Sequence, residues 1–85
     1  MSEASKTADE SIRNAILVAV TQRGPGKTIC PSEVARALGS DWRMLMPDVR
    51  RVASTLASDG KIKVTQKGAE VDALAAKGPI RLSLP

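Results

Sequence analysis

Ile29-Cys30-Pro31-Ser32-Glu33-Val34-Ala35-Arg36-Ala37-Leu38-Gly39, then a link through Trp42, then Pro47-Asp48-Val49-Arg50-Arg51 running on to Asp59, reads as helix, turn, helix. Pro31 suits a first helical position, where its missing N–H costs nothing, and Glu33 favours the positive end of the helix dipole. Val34, Ala35 and Leu38 form one apolar face, and Gly39 is expected to stop the helix in the left-handed conformation. Pro47 restarts a helix as Pro31 does. In this second helix Val49, Val52, Ala53, Leu56 and Ala57 share one arc, opposite Arg50, Arg51, Ser54, Thr55 and Ser58. A basic face of small residues is what a helix needs to enter a nucleic-acid groove.

Outward from this stretch, the chain alternates between helix and strand signals. Residues 1–6 are polar and expected to form a disordered tail, so the domain spans residues 7–85. Thr7 with Glu10 matches a capping box and predicts a helix from about Ala8 to Arg23. Ile12, Ala15, Ile16, Ala19 and Val20 make its inward stripe, and Asp9 and Arg13 are spaced for a weak surface pair. Leu17 and Val18 lie off the stripe, either covered by the C-terminal strands or forming a contact patch. Gly24-Pro25-Gly26 ends the helix, and Thr28-Ile29 is expected as a short strand. Cys30 stands at the cap position of the next helix and is expected as a small buried residue. Ser40 or Asp41 is expected to cap a short turn through Leu45, with Trp42, Leu45 and Met46 packed between the helices.

Beyond Gly60 the apolar period falls to two. Ile62 and Val64 alternate with Lys61, Lys63 and Thr65, and Ile80, Leu82 and Leu84 alternate with Arg81 and Ser83. Two amphipathic strands follow. The link from Gln66 to Pro79 is too long for a tight hairpin turn and has room for a short strand at Glu70-Val71 or a helical turn at Asp72–Ala76. Lys67 and Lys77 ride on this projecting loop, a wing. The expected architecture is α+β: a winged helix-turn-helix, three helices packed on a small antiparallel β-hairpin.

Composition narrows the function. The chain has 85 residues, 42% apolar, and Trp42 is its sole aromatic residue, so no stacking platform for unpaired bases exists. There is no histidine and one cysteine, which excludes His/Cys metal sites, Ser–His or Cys–His catalysis and an internal disulfide. The carboxylates Glu33, Asp41, Asp48, Asp59, Glu70 and Asp72 are scattered where capping explains them, so neither an enzyme nor a cofactor is expected. Gly26-Lys27-Thr28 imitates the end of a phosphate loop, yet Thr21 occupies the place of the first glycine and a helix precedes the segment. No run is long enough to span a membrane and no apolar signal core opens the chain; a cytoplasmic protein is expected.

The net charge of +4 is unevenly placed. Residues 1–42 carry five basic and five acidic groups, so the whole excess lies in residues 43–85. Duplex DNA is the expected partner of that half. Arg50 and Arg51, in the first turn of the recognition helix, are placed to reach base edges, and both are expected to tolerate alanine without harm to the fold. Ser54, Thr55 and Ser58 let the helix come close; Arg43, Lys61, Lys63, Lys67, Lys77 and Arg81 complete the basic set, and Thr28 or Ser32 near a helix start is placed for a further phosphate. The alternative is a protein-binding winged helix, with the Trp42–Met46 link and Leu17 and Val18 as its surface. One short helix and one wing cover few base pairs, so a homodimer or larger assembly is expected where the domain must find a genomic site.

The chain also resembles small uncharacterised bacterial domains with a winged-helix fold and no assigned function. The resemblance rests on Arg23 through Gly39, on Trp42-Arg43 with Leu45-Met46-Pro47, on Val49-Arg50-Arg51, and on Lys67-Gly68 through Lys77-Gly78-Pro79-Ile80-Arg81-Leu82. It spans about residues 11–84. It implies the fold and lends no activity.

Overall fold

In the structure, a computed structural model, the backbone is described for residues 2–85 and the side chains for residues 9–85. Three helices, α1 (Ser2–Arg23), α2 (Pro31–Leu38) and α3 (Trp42–Ser58), precede three strands, β1 (Lys63–Gln66), β2 (Ala69–Glu70) and β3 (Arg81–Ser83). This arrangement of three helices and an antiparallel sheet is an α+β fold consistent with the winged-helix type. The helix bounds open at Ser2 rather than near Ala8, through residues that tolerate helical backbone. The side chains behind the Thr7 capping box, and Met1 of the tail expected over residues 1–6, lie outside the described residues, whereas the backbone of residues 2–6 belongs to α1.

Ile12, Ile16 and Val20 of α1, Val34 and Ala35 of α2, and Val49, Val52, Ala53 and Leu56 of α3 are buried together with Ile29, Ile62, Val64, Ile80 and Leu82. One core therefore lies where the three helical stripes meet the inner face of the sheet. Leu17 packs partly against it, whereas Val18 points outward. Glu33 fixes the start of α2: its Oε2 accepts the Cys30 N–H at 3.0 Å, and its Oε1 meets Arg23 at 2.7 Å. Cys30 is half-buried rather than enclosed. Gly39 ends α2 in extended backbone, φ 175°, and not in the expected left-handed conformation.

α3 starts five residues earlier than Pro47 implied. Proline forfeits only the bond to the Arg43 carbonyl, in the first turn, and Trp42, Leu45 and Met46 packed on the core hold that turn in place. Arg50 and Arg51 consequently sit in the third turn, and Arg43 and Met44 occupy the first. At the far end the Gly60 N–H reaches the Ala57 carbonyl and the Lys61 N–H the Leu56 carbonyl, at 3.0 and 2.9 Å. Gly60, at φ 75°, supplies the left-handed residue that this closure requires.

The sheet has the order β2-β1-β3, all antiparallel. Ile29 adds a bridge to Leu82, with both backbone bonds made at 2.8 and 2.9 Å, where a short strand was expected. The expected long link instead begins with a tight hairpin: Gln66 faces Ala69 across the two-residue turn Lys67-Gly68. Both turn residues have positive φ, 52° and 84°, which matches the right-handed twist of the flanking strands. The chain then runs through turns at Asp72–Ala76 back to β3.

Candidate nucleic-acid interface

The buried arc of α3 faces the core, and at 100° per residue Pro47, Arg51, Ser54 and Ser58 fall on the opposite line. The residues on this outward line are largely engaged within the molecule. Arg51 grips Asp9 of α1 with both arms of its guanidinium, Nη2 to Oδ1 at 2.7 Å and Nη1 to Oδ2 at 3.0 Å, and Nη2 also reaches Asp48 at 3.2 Å. The hydrogen bond to Asp9, then that to Asp48, pushes the Arg51 pKa up, and the same Arg51 bond holds the Asp9 carboxyl below its ordinary range. The spacing that predicted an Asp9–Arg13 pair is overridden by a longer-range partner. Ser54 donates to Asp72 at 3.1 Å, and Thr55 donates back to the Arg51 carbonyl of its own helix at 3.4 Å.

Arg50 leaves the outward line toward the wing. Its guanidinium donates to the carbonyls of Ala73 at 3.1 Å, Ala76 at 2.8 Å and Gly78 at 3.3 and 3.4 Å. Five donors in a rigid fork suit a turn whose carbonyls have no strand partner. Arg50 is therefore a staple between α3 and the Ala73–Gly78 segment, and not a side chain that alanine replaces without structural loss. Beside it Asp72 accepts from the Leu74 N–H at 2.9 Å, and Ala73 is buried beneath.

On the wing the balance reverses. Gln66 Nε2 donates to the carbonyls of Lys77 at 2.6 Å and Pro79 at 3.1 Å, drawing the returning chain against the end of β1. An open groove results, lined by Gln66, Lys67, Lys77, Pro79 and Arg81. Arg81 is anchored by donation to Thr28 Oγ1 at 2.9 Å and to Cys30 Sγ. Thr28 Oγ1 accepts this bond and keeps its own O–H as a donor. Among the described residues, ion pairs join Arg23 to Glu33 and Arg51 to Asp9 and Asp48, and the three groove cations form none.

Of the remaining basic candidates, Lys61 and Lys63 are exposed, Lys61 just past Gly60 and Lys63 on the solvent face of β1 opposite Ser83. Arg43 stacks on the half-buried Trp42, its guanidinium carbon 4.6 Å from the ring centre, and Arg36 of α2 lies at the same distance. Ser58 is exposed at the end of α3. The structure thus brings Lys67, Lys77 and Arg81 together, ties Arg50 and Arg51 to neighbours, and leaves Arg43, Lys61 and Lys63 apart from the groove. Gln66, Asp9 and Asp72 are contributors that the sequence did not mark. For Gln66 a signal existed in the Lys-Gly pair between alternating residues; for Asp9, remote in the chain from Arg51, there was none.

The family described as "Protein of unknown function (DUF3253)" matches residues 9–85, from the Arg51 partner on α1 to the C-terminus. The chain belongs to this family. No curated protein matches it. Family membership covers every element of the interface and carries no activity with it. Among the described residues no group of three or more His, Cys, Asp or Glu side chains gathers as a metal site, and no helix is long and apolar enough to cross a membrane.

Proposed function

We propose that this domain is a bacterial winged helix that binds duplex DNA, acting in the cytoplasm as a small transcriptional regulator, with the wing supplying the principal phosphate contacts. The observation that carries the reading is the groove that Lys67, Lys77 and Arg81 line together, none of them in an ion pair among the described residues. The exposed ammonium groups of Lys67, on the hairpin tip, and of Lys77, on the returning segment, are free to displace counterions from a phosphate backbone. Lys61, Lys63 and Arg43 extend the positive surface, and Ser58 with the outer residues of α3 faces the groove of the duplex. No catalytic step, metal or cofactor belongs to this reading.

Titration of a random-sequence duplex at several salt concentrations tests it. With about four or five phosphates neutralised, log K falls against log salt with a slope of about −4. Replacing both Lys67 and Lys77 by alanine reduces that slope by about 2, at about 0.9 per phosphate. Flat salt dependence, or a slope indifferent to the two lysines, overturns the proposal.

A protein partner or homodimer is the second reading, and Met44 favours it. This side chain is 79% exposed in the first turn of α3, where an apolar residue has no packing role. Molecular mass measured over a hundredfold range of protein concentration decides: a strict monomer at every concentration removes the homodimer.

A further inference from the structure

Arg51 occupies the centre of the outward line of α3, yet its guanidinium is filled by oxygens from its own chain. Asp9 presents two oxygens to the two arms of the fork, and Asp48 adds a third, at 2.7, 3.0 and 3.2 Å. A phosphate offers the same planar, two-oxygen docking to a guanidinium as a carboxylate does. The cluster is also open to solvent, with side-chain exposures of 46% for Arg51, 41% for Asp9 and 51% for Asp48. Exposed pairs of this kind are weak and screened by salt, whereas a duplex presents one negative charge per about 1.7 Å of its axis.

A second arrangement of the same groups is built into α1. The groove between α1 and α3 is lined by Asp9, Glu10, Arg13, Arg51, Val52 and Thr55. Arg13 lies one turn beyond Asp9 on the same helix, in the favoured order of acid before base at i, i+4, and among the described ion pairs it has no partner. Asp9 therefore has a neighbour ready to receive it when it leaves Arg51. We infer that Arg51 is a DNA phosphate contact held in reserve: Asp9 masks it in the free domain, and a duplex phosphate displaces Asp9 onto Arg13. This latch rests on the reading of the domain as a duplex binder, and it adds the regulation of one contact within that surface.

The test compares duplex affinity at low salt for the natural chain, Asp9→Asn, Glu10→Gln, and Asp9→Asn combined with Arg51→Gln, with thermal melting as the check on folding. Glu10→Gln removes the same charge one residue away without touching Arg51, so it measures the general gain from losing an acid. Asp9→Asn is expected to tighten binding about threefold to fivefold, the upper part of the range of an exposed pair. Glu10→Gln is expected to give less than about twofold, as for a screened charge, and Arg51→Gln is expected to cancel the Asp9→Asn gain. Equal gains from Asp9→Asn and Glu10→Gln, or a gain that survives Arg51→Gln, overturn the latch. Binding by the natural chain that depends on Lys67 and Lys77 but does not respond to Asp9→Asn overturns the latch alone. No duplex binding by any of these proteins overturns it together with the proposed function.

Discussion

On the outward side of α3 the arginines are occupied, Arg50 by the carbonyls of Ala73, Ala76 and Gly78 and Arg51 by Asp9 and Asp48. On the wing, Lys67 and Lys77 line a groove and form no ion pair among the described residues. Both regions contribute to the same positive excess in residues 43–85, and only one offers it to a partner at no internal cost. A helix packed between other elements finds its side chains within reach of their carboxylates and carbonyls. A hairpin tip projects past such neighbours. Available charge is therefore a property of position in the fold, and counting basic residues overstates what α3 presents.

Wing and α3 stand on one core, and the largest expected effect lies there. Leu56 beneath α3 and Leu82 beneath the wing are both fully buried, so alanine at either position is expected to cost about 2–5 kcal/mol in urea unfolding. A much smaller cost for Leu82→Ala would separate the wing from the core and break the parallel. Next comes the contrast between the two arginines. Arg50→Ala leaves part-buried carbonyls without donors and is expected to cost about 1–3 kcal/mol, with amide shifts concentrated in Ala73–Gly78. Arg50→Lys does not rescue it, because one ammonium cannot reproduce a fork spread over three carbonyls. Arg51→Ala is expected to cost distinctly less; equal costs would erase the difference between staple and surface pair.

Lys67→Asn sharpens the wing side. Asparagine accepts the left-handed conformation that Lys67 holds at φ 52°, so stability should rise by a few tenths to about 1 kcal/mol while duplex affinity falls. Opposite signs in the two measurements show that this lysine is present for its charge and not for its turn. The smallest effect is acid lability of the α1–α3 contact. Hydrogen bonding to Arg51 lowers the folded-state pKa of Asp9 below the ordinary 3.8, so its contribution is present above that value and lost as pH falls through the lowered one. Thermal melting from about pH 5 down to about pH 2 should show a slightly shallower acid loss in Asp9→Asn than in the natural chain.

Local pattern made much of this molecule legible. The periods of Ile12-Ile16-Val20 and Val49-Val52-Ala53-Leu56, the proline at the start of α2 and the glycine after α3 all act within a turn or two of chain, and the buried residues follow them. Other local signals mislead for equally local reasons. Pro47 reads as a helix start, though a helix tolerates proline near its first turn when apolar neighbours hold that turn. Lys67-Gly68 gives only a weak hairpin signal because lysine is an uncommon residue at a left-handed turn position.

By itself the sequence determined the order of the three helices before β1 and β3, the side of each that turns inward, and a positive excess confined to its second half, because propensity, periodicity and net charge are set by near neighbours in the chain. Only the tertiary structure decided which cations remain available. Asp9 meets Arg51, Ala76 meets Arg50, and Thr28 meets Arg81 across long separations in sequence, through contacts that exist only once the elements have packed.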